Sequence, residues 1–173
     1  MLTTPQQIHQ LLDNKKHVLI TFRKDAPGDA IASAVALYLF LKKQNKPADI
    51  ICDGLEAPKQ FRFLQGSDLI KSTPGHLQKF VITLDVKDTG VDELSYDLKD
   101  EKLRIHITPK KGFLTRDSVR TAQSDFTYDL IFVLDTPDLE ALGGFYDSNT
   151  ELFHKTPIVN IDHDPGNEHF GQI

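Results

Sequence analysis

Short apolar runs alternate with amphipathic stretches along most of the chain. Runs rich in branched aliphatic residues, too short for helices, predict five strands, and these lie at 17–22, 48–53, 81–85, 130–135 and 158–162. Apolar residues at helical spacing predict helices at 5–15 and 29–43, with a helix-prone stretch at 138–153. This alternation predicts an α/β fold with a mainly parallel sheet and helices on both faces.

One stretch breaks the alternation of strands and helices. Apolar residues at every second position occupy both halves of residues 93–108, with Asp100 and Glu101 able to form a turn between them. This pattern predicts an inserted β-hairpin near 93–108. Helical residues are expected near 115–122. The whole of residues 1–173 is interpreted as a single domain, because a chain of this length can bury one complete core.

Composition narrows the classes of partner and compartment. The net charge is −5 and the isoelectric point about 5.8, which argues against a strong binder of duplex nucleic acid. Cys52 is the single cysteine, so an internal disulfide framework is excluded and a reducing compartment is favoured. The polar N-terminus has no signal-peptide pattern and no apolar run is long enough for a membrane span. We expect a cytoplasmic protein with no membrane partner.

Charged residues follow four of the predicted strands. They are Arg23 and Asp29, then Asp85, then Asp135, and finally Asp162, His163 and Asp164. Ligands of open α/β sheets bind at the carboxyl ends of the strands. Carboxylates and imidazole bind divalent ions, which activate water for phosphate-ester hydrolysis. The pattern favours such a site, although an Asp after a strand is also common as a helix cap or turn residue.

Three segments resemble the DHH phosphoesterase family. They read GDAIAS at 28–33, LDTPDLEALG at 134–143 and NIDHDPGNEHFG at 160–171. The family includes RecJ-like exonucleases, oligoribonucleases and cyclic-dinucleotide phosphodiesterases. The resemblance implies an α/β DHH domain over most of the chain, with residues 87 to about 124 as an insertion, and two manganese ions that hydrolyse phosphodiester bonds. The family's C-terminal DHHA1 domain would lie beyond Ile173.

The resemblance also implies roles for individual residues. Asp29, Asp135 and His163 correspond to metal ligands of the family, and Asp135 would bridge the two ions. Asp162 would orient His163, so that all four residues belong to the expected catalytic set. Asp85 remains an alternative to Asp135, because it also ends a predicted strand and lies closer to Asp29 in the sequence.

Several positions depart from the family's motifs. The first motif reads His-x-x-Pro-Asp-x-Asp-Ala, whereas this chain has Arg23 for the His, Ala26 for the Pro and Pro27 for the first Asp; Asp164 replaces the last His of the DHH signature. Arginine has no acceptor and stays protonated, so it cannot be a ligand. We therefore expect one divalent ion, Mn²⁺ or Mg²⁺, or none. We also expect the Arg23 guanidinium to pair with Asp135 or Asp164 in place of the missing cation.

Two function hypotheses follow from the retained and lost ligands. The first is metal-dependent hydrolysis of phosphodiester bonds in short nucleic acids or nucleotides, impaired by the lost ligands. The alternative is an inactive DHH fold that binds a nucleotide or a protein partner. Substrate contacts are expected from Arg23, Ser33, Asp164 and His169. The sequence is compatible with a homodimer.

Overall fold

The computed structural model describes residues 2–26, 28–55, 61 and 63–173. The chain divides into two compact units. The first unit comprises Met1–Leu77 and Phe126–Ile173, and the second unit comprises Gln78–Asp125. The insertion expected at 87–124 falls within the second unit. The interpretation of residues 1–173 as one domain stays a prediction.

Strands outnumber helices in the described residues. The strands are β1 Val18–Phe22, β2 Ala48–Ile51, β3 Ile70–Lys71, β4 Phe80–Leu84, β5 Glu93–Lys99, β6 Lys102–Thr108, β7 Val119–Gln123, β8 Leu130–Leu134 and β9 Ile158–Ile161. The helices are α1 Thr4–Asp13, α2 Gly28–Lys43, α3 Gly144–Asp147 and α4 Thr150–Lys155. Short 3₁₀ turns occupy Ser67–Leu69, Arg116–Ser118 and Glu140–Leu142. No described helix combines the length and the apolar character needed to cross a bilayer.

The first unit is built on a five-stranded parallel sheet in the order β3-β2-β1-β8-β9. In the centre, Thr21 of β1 lies opposite Ile51 of β2 on one side and Val133 of β8 on the other. Every residue of β1 and β8 is buried. Continuous burial of this kind is typical of parallel strands that are covered on both faces. The predicted α/β fold is confirmed.

Helices cover both faces of this sheet. Ile20 and Phe22 of β1 pack on one face with Ala34 and Val35 of α2. On the other face, Leu19 of β1 belongs to a cluster that includes Phe145 of α3 and Leu152 and Phe153 of α4. Alternate residues of one strand therefore serve two cores. The predicted covering of both faces is confirmed.

Helix α2 follows β1, and its first turn lies at the carboxyl ends of the parallel strands. Asp29 lies in that first turn, and its Oδ1 accepts a hydrogen bond of 3.0 Å from the Ala30 N–H. Lys42 and Lys43 lie in the last turn. These charges complement the helix dipole at both ends. The placement makes Asp29 part of the surface above the sheet.

The second unit consists of antiparallel ribbons. Strand β4 pairs with β7, and β5 pairs with β6 in the predicted hairpin, which is confirmed. Asp100 and Glu101 form its two-residue turn with φ of 51° and 58°, the backbone of a type I′ turn. None of the residues 78–125, all of which the structure describes, is buried. This unit therefore has no core of its own.

Two predictions of secondary structure were wrong. The run at 81–85 was expected in the parallel sheet, but Phe80–Leu84 pairs antiparallel with Val119–Gln123, and Ile70–Lys71 supplies the fifth parallel strand. The expected helix at 115–122 is a 3₁₀ turn followed by β7. The reason is that Val119 and Thr121 are β-branched and find a partner strand in β4.

Candidate functional site

A cleft opens at the carboxyl ends of β8 and β9, beside the start of α2. Its volume is about 190 Å³. It is lined by Asp29, Ala30, Ser33, Leu134, Asp135, Ile161, Asp162 and His163. Two of the expected strand-end motifs and the start of α2 therefore meet in one place, as the topology of an open parallel sheet predicts.

Asp135 is fixed mainly through its backbone. It follows β8 directly, and its N–H donates to the Ile161 carbonyl of β9 over 2.9 Å. Its φ is +46°, a left-handed conformation that Asp and Asn adopt more readily than other side-chain-bearing residues. The residue is only 9% exposed. The conformation departs from the strand and holds the carboxylate in the cleft.

Asp162 and His163 complete a compact cluster with Asp135. The His163 Nδ1 lies 3.3 Å from the Asp135 Oδ1 and 3.9 Å from the Asp162 Oδ1. One ligand atom from each of the three residues lies within 4.8 Å of the others. The Asp162 side chain is 1% exposed, whereas that of His163 is 79% exposed. The cluster could hold a metal ion, with His163 on the solvent side.

Two carboxylate oxygens in this cluster are buried without a hydrogen-bond partner in the described part of the chain. They are the Oδ2 atoms of Asp135 and Asp162. Burial raises the pKa of Asp135, and the negative charges of Asp29 and Asp162 raise it further, against the opposing effects of Arg23 and His163. Unpartnered buried carboxylate oxygens are unfavourable. The donor set therefore fits a bound cation, which would satisfy both atoms.

Arg23 lies near the cluster but does not form the expected ion pair. Its backbone N–H donates to the Thr136 Oγ1 over 3.1 Å, and its Nε is buried without a hydrogen-bond partner in residues 2–26, 28–55, 61 and 63–173. Within the described residues, no ion pair of 4.0 Å or less joins its guanidinium to Asp135 or Asp164. Its charge still lowers the pKa of Asp135. The pairing prediction is therefore wrong at contact distance. Pro27, the other departure in the first motif, lies outside the described residues.

The remaining predicted residues divide between the cleft and its surroundings. Ser33 lines the cleft. Asp164 is exposed, and its Oδ1 accepts a 2.8 Å hydrogen bond from the Gly166 N–H in a local turn. His169 is also exposed, with φ of +53°. Neither Asp164 nor His169 is among the residues that line the cleft. Their expected substrate contacts stay predictions.

Asp135 and Asp85, the two alternatives for the bridging carboxylate, lie in different units. Asp85 follows β4 in the second unit, where its N–H donates to the Ser118 carbonyl over 2.8 Å. Asp135 lies in the first unit beside His163. Strand β4 is not part of the parallel sheet. The similar runs that precede Asp85 and Asp135 therefore belong to unlike strands.

Sequence reasoning missed two residues that hold the site together. The Asn160 Nδ2 donates to the Thr136 carbonyl over 3.2 Å, and the Asn160 Oδ1 accepts from the Asn167 Nδ2 over 2.6 Å. The Thr136 Oγ1 donates to the Leu134 carbonyl over 2.8 Å. These bonds join the loops that follow β8 and β9. The only sequence signal was their position, since Thr136 and Asn160 flank the acidic motifs.

Comparison with known proteins does not extend this picture. No family model matches the chain, and no curated protein matches it.

Proposed function

We propose that the cleft binds one divalent cation, Mn²⁺ or Mg²⁺, and hydrolyses phosphodiester bonds of short nucleic acids or nucleotides, as a site of the DHH type. The observation that carries this proposal is the pair of buried oxygens of Asp135 and Asp162, which have no hydrogen-bond partner among the residues that the structure describes and lie beside the imidazole of His163. Hard divalent ions bind carboxylate oxygens, and imidazole adds a ligand for borderline ions such as Mn²⁺. The motif resemblance at 160–171 supports the same reaction.

The ligand set differs in one member from the set that the resemblance implies. Asp162 was expected to orient His163, yet its own Oδ2, which no described residue contacts through a hydrogen bond, makes it a better candidate for a direct ligand. Its Oδ1 accepts a 2.9 Å hydrogen bond from the Asp164 N–H, which fixes the orientation of the carboxylate. Asp29 lines the cleft and contributes its negative charge at the start of α2. We propose Asp135, Asp162 and His163 as ligands, with Asp29 as a further carboxylate within the cleft.

The residues of the chain bind and orient the phosphate in this proposal. A bound divalent cation would activate water and neutralise phosphoryl oxygens. The cleft of about 190 Å³ is smaller than a typical small-molecule pocket of roughly 300–1,000 Å³. It therefore encloses the reacting phosphate and leaves the bases outside. Arg23 supplies a fixed positive charge near Asp135 that favours an anionic substrate.

The alternative is a module that binds a phosphate-containing ligand without hydrolysis. It is favoured by one observation, the buried Nε of Arg23, which has no partner among the described residues. A phosphate oxygen would satisfy that donor as readily as a carboxylate would. The alternative requires no metal, so the two functions separate cleanly in a metal titration.

A calorimetric titration with Mn²⁺ tests the metal site. We expect one ion per chain, and at least about tenfold weaker binding in Asp135→Asn and Asp162→Asn. Asp164→Asn is the matched control, because Asp164 carries the same charge in the same loop but does not line the cleft. Binding of two ions, or equal weakening by all three substitutions, would contradict the proposal.

Hydrolysis is tested with a dinucleotide RNA and a cyclic dinucleotide in Mn²⁺. We expect product from the unmodified chain and at least about tenfold less from Asp135→Asn. Equal rates in the two proteins would remove the enzymatic function. Ligand binding that survives chelation of the metal and is lost in Arg23→Ala would support the binding module instead.

A further inference from the structure

Strand β5 leaves a long apolar edge open. It forms a two-stranded ribbon with β6, so within the described residues no third strand pairs with it. Leu94, Tyr96 and Leu98 alternate on one side of β5 and are 66%, 76% and 74% exposed. An isolated two-stranded ribbon is at best marginally stable in water. An exposed apolar edge of this length is a template for pairing with another strand.

We propose that β5 pairs antiparallel with β5 of a second copy of the chain, about a two-fold axis at Tyr96. The result is a four-stranded antiparallel sheet shared by two copies. Such a sheet has the number of strands that independent stability requires. The contact is isologous, since the same strand contributes from both copies.

The turn geometry permits this register. In a hairpin closed by a two-residue turn, the pair that flanks the turn is hydrogen-bonded, and bonded and non-bonded pairs then alternate. Here that pair is Lys99 and Lys102. Leu98, Tyr96 and Leu94 therefore direct their backbone N–H and C=O groups away from β6. With a two-fold axis at Tyr96, the backbone N–H and C=O groups of Tyr96 form hydrogen bonds with those of the second copy's Tyr96. Leu94 then lies opposite the second copy's Leu98.

Charge complementarity favours β5 pairing with itself. In this register Glu93 lies opposite the second copy's Lys99, and the symmetry repeats that pair of opposite charges. Opposite charges at directly facing positions are favourable. Within one copy, Lys99 instead faces Lys102, a like charge. The second copy thus supplies the partner that Lys99 lacks across its own ribbon.

Strand β6, the other edge of the ribbon, lacks this charge complementarity when it is paired with β6 of a second copy. A two-fold axis at Ile105 of β6 would place Arg104 opposite the second copy's His106 and Lys102 opposite the second copy's Thr108. Neither pair joins opposite charges, and a protonated His106 would repel Arg104. In addition, Arg104 and His106 already contact Asp97 within their own ribbon. We therefore assign the interface to β5.

The apolar side chains of the two β5 strands form one continuous row in this arrangement. Leu94, Tyr96 and Leu98 of each copy lie on the same face as their counterparts, and directly opposite residues of antiparallel strands have Cβ atoms about 5 Å apart. The row removes from water part of the surface that a single ribbon exposes. Tyr96, at the centre, contacts its own symmetry mate.

Sedimentation velocity over a range of protein concentrations tests the pairing. We expect a monomer–dimer equilibrium for the unmodified chain. Lys99→Glu and Glu93→Lys should each weaken dimerisation about tenfold, because each replaces two opposite-charge pairs by two like-charge pairs. The double variant Glu93→Lys with Lys99→Glu restores opposite charges and should return the dissociation constant to within about threefold of the original.

Lys102→Glu is the matched control. It relieves the Lys99–Lys102 repulsion within the ribbon just as Lys99→Glu does, but it lies on the strand that does not face the second copy. Dimerisation of this control should stay within about threefold of the original value. A chain that is monomeric at all concentrations, a control that weakens as much as Lys99→Glu, or a double variant that weakens further would each overturn the proposal.

Discussion

The two units of this chain bury their strands very differently, even where the strands match in composition: β1 (VLITF) and β4 (FVITL) contain the same five residues, yet every residue of β4 is at least partly exposed. In the first unit, all residues of β1 and β8 are buried. In the second unit, every residue of β5 and β6 is at least partly exposed. Both sets of strands carry the branched and aromatic residues that predict β-structure. The apolar pattern therefore predicts that a strand forms, and says little about whether it is buried.

The kind of connection explains this difference. Parallel strands need a long crossover, and in the first unit that crossover includes α2, which covers the sheet. Antiparallel strands need only a tight turn, and the two residues between β5 and β6 bring no covering element with them. The connection between parallel strands thus includes a helix that buries one face of the sheet. The faces of an antiparallel ribbon can be buried only by a separate element or a second molecule.

The largest expected contrast comes from removing one buried ring. Phe132 of β8 is 1% exposed, and we expect Phe132→Ala to lower the free energy of unfolding by about 3–5 kcal/mol. Leu98→Ala in β5 should change it by less than about 0.5 kcal/mol when measured at low protein concentration. Urea unfolding of both variants measures the contrast. If both variants lost a similar amount of unfolding free energy, the strands of the two units would not differ in how deeply they are buried.

A second test concerns the charge cluster that ties β2 to its neighbours. Asp49 accepts hydrogen bonds from the Lys71 Nζ and the Tyr128 hydroxyl, and it lies 3.0 Å from the His17 Nε2. We expect Asp49→Asn to lower the free energy of unfolding by about 2 kcal/mol at neutral pH, because hydrogen bonds to a charged acceptor are lost.

The pH dependence of this effect has a definite sign. Burial opposes ionisation of Asp49, but the hydrogen bonds from Lys71 and Tyr128 dominate and hold its pKa below the usual 3.8. A lowered pKa gives stability that is present above the unfolded-state pKa and lost as pH falls through the folded-state pKa. The two proteins should therefore converge in stability as the pH is lowered below about 4. A constant difference down to pH 2 would contradict this assignment.

A third test uses the site of the first unit, where function opposes stability. Because burial and then the charges of Asp29 and Asp162 raise the pKa of Asp135, its ionised form disfavours folding at neutral pH. Asparagine tolerates the φ of +46°. We expect Asp135→Asn in chelator to raise the melting temperature by about 2–4 °C, the shift that ~1 kcal/mol causes in a chain of this size.

The same variant should respond to pH in a defined direction. A raised pKa means that the unmodified protein gains stability as pH falls from neutrality toward the ordinary aspartate range, whereas Asp135→Asn lacks that gain. The advantage of the variant should therefore shrink as pH falls. Thermal melts at several pH values measure it, and a variant less stable than the original at pH 7 in chelator would refute the explanation.

The smallest expected effect is that of removing the second unit altogether. Its two ends are adjacent, because the Thr127 N–H donates to the Leu77 carbonyl over 2.7 Å. Replacing residues 78–125 by a Gly-Ser linker of about four residues spans such a gap. We expect the melting temperature of the first unit to change by less than about 2 °C, below the shift expected for Asp135→Asn, and Mn²⁺ binding to persist. Loss of cooperative unfolding would show that the units depend on each other.

The sequence predicted the parallel sheet well because its strands are strongly apolar and separated by an amphipathic helix. The prediction failed where the local pattern of apolar residues does not indicate which strand is the pairing partner. The run at Phe80–Leu84 looks like a core strand, yet its pairing with β7 depends on residues more than thirty positions away. Ile70–Lys71 was missed because a two-residue strand has no detectable period.

The site shows the same limit. The positions of Asp135, Asp162 and His163 at strand ends were predictable from the order of elements. Their detailed contacts were not, because they depend on backbone conformations that the sequence does not encode locally. Arg23 is an example, since its backbone N–H donates to the hydroxyl of Thr136, which lies 113 positions away in the loop after β8.

The turn at Asp100 and Glu101 has a further consequence. Both residues adopt the left-handed conformation that glycine adopts without strain, and such conformations cost roughly 1 kcal/mol or more each. The Asp100–Glu101 turn therefore lowers the stability of the hairpin relative to a turn with glycine at these positions. Because a two-stranded ribbon is at best marginally stable in water, a contact along its edge changes the fraction of molecules in which the ribbon is formed.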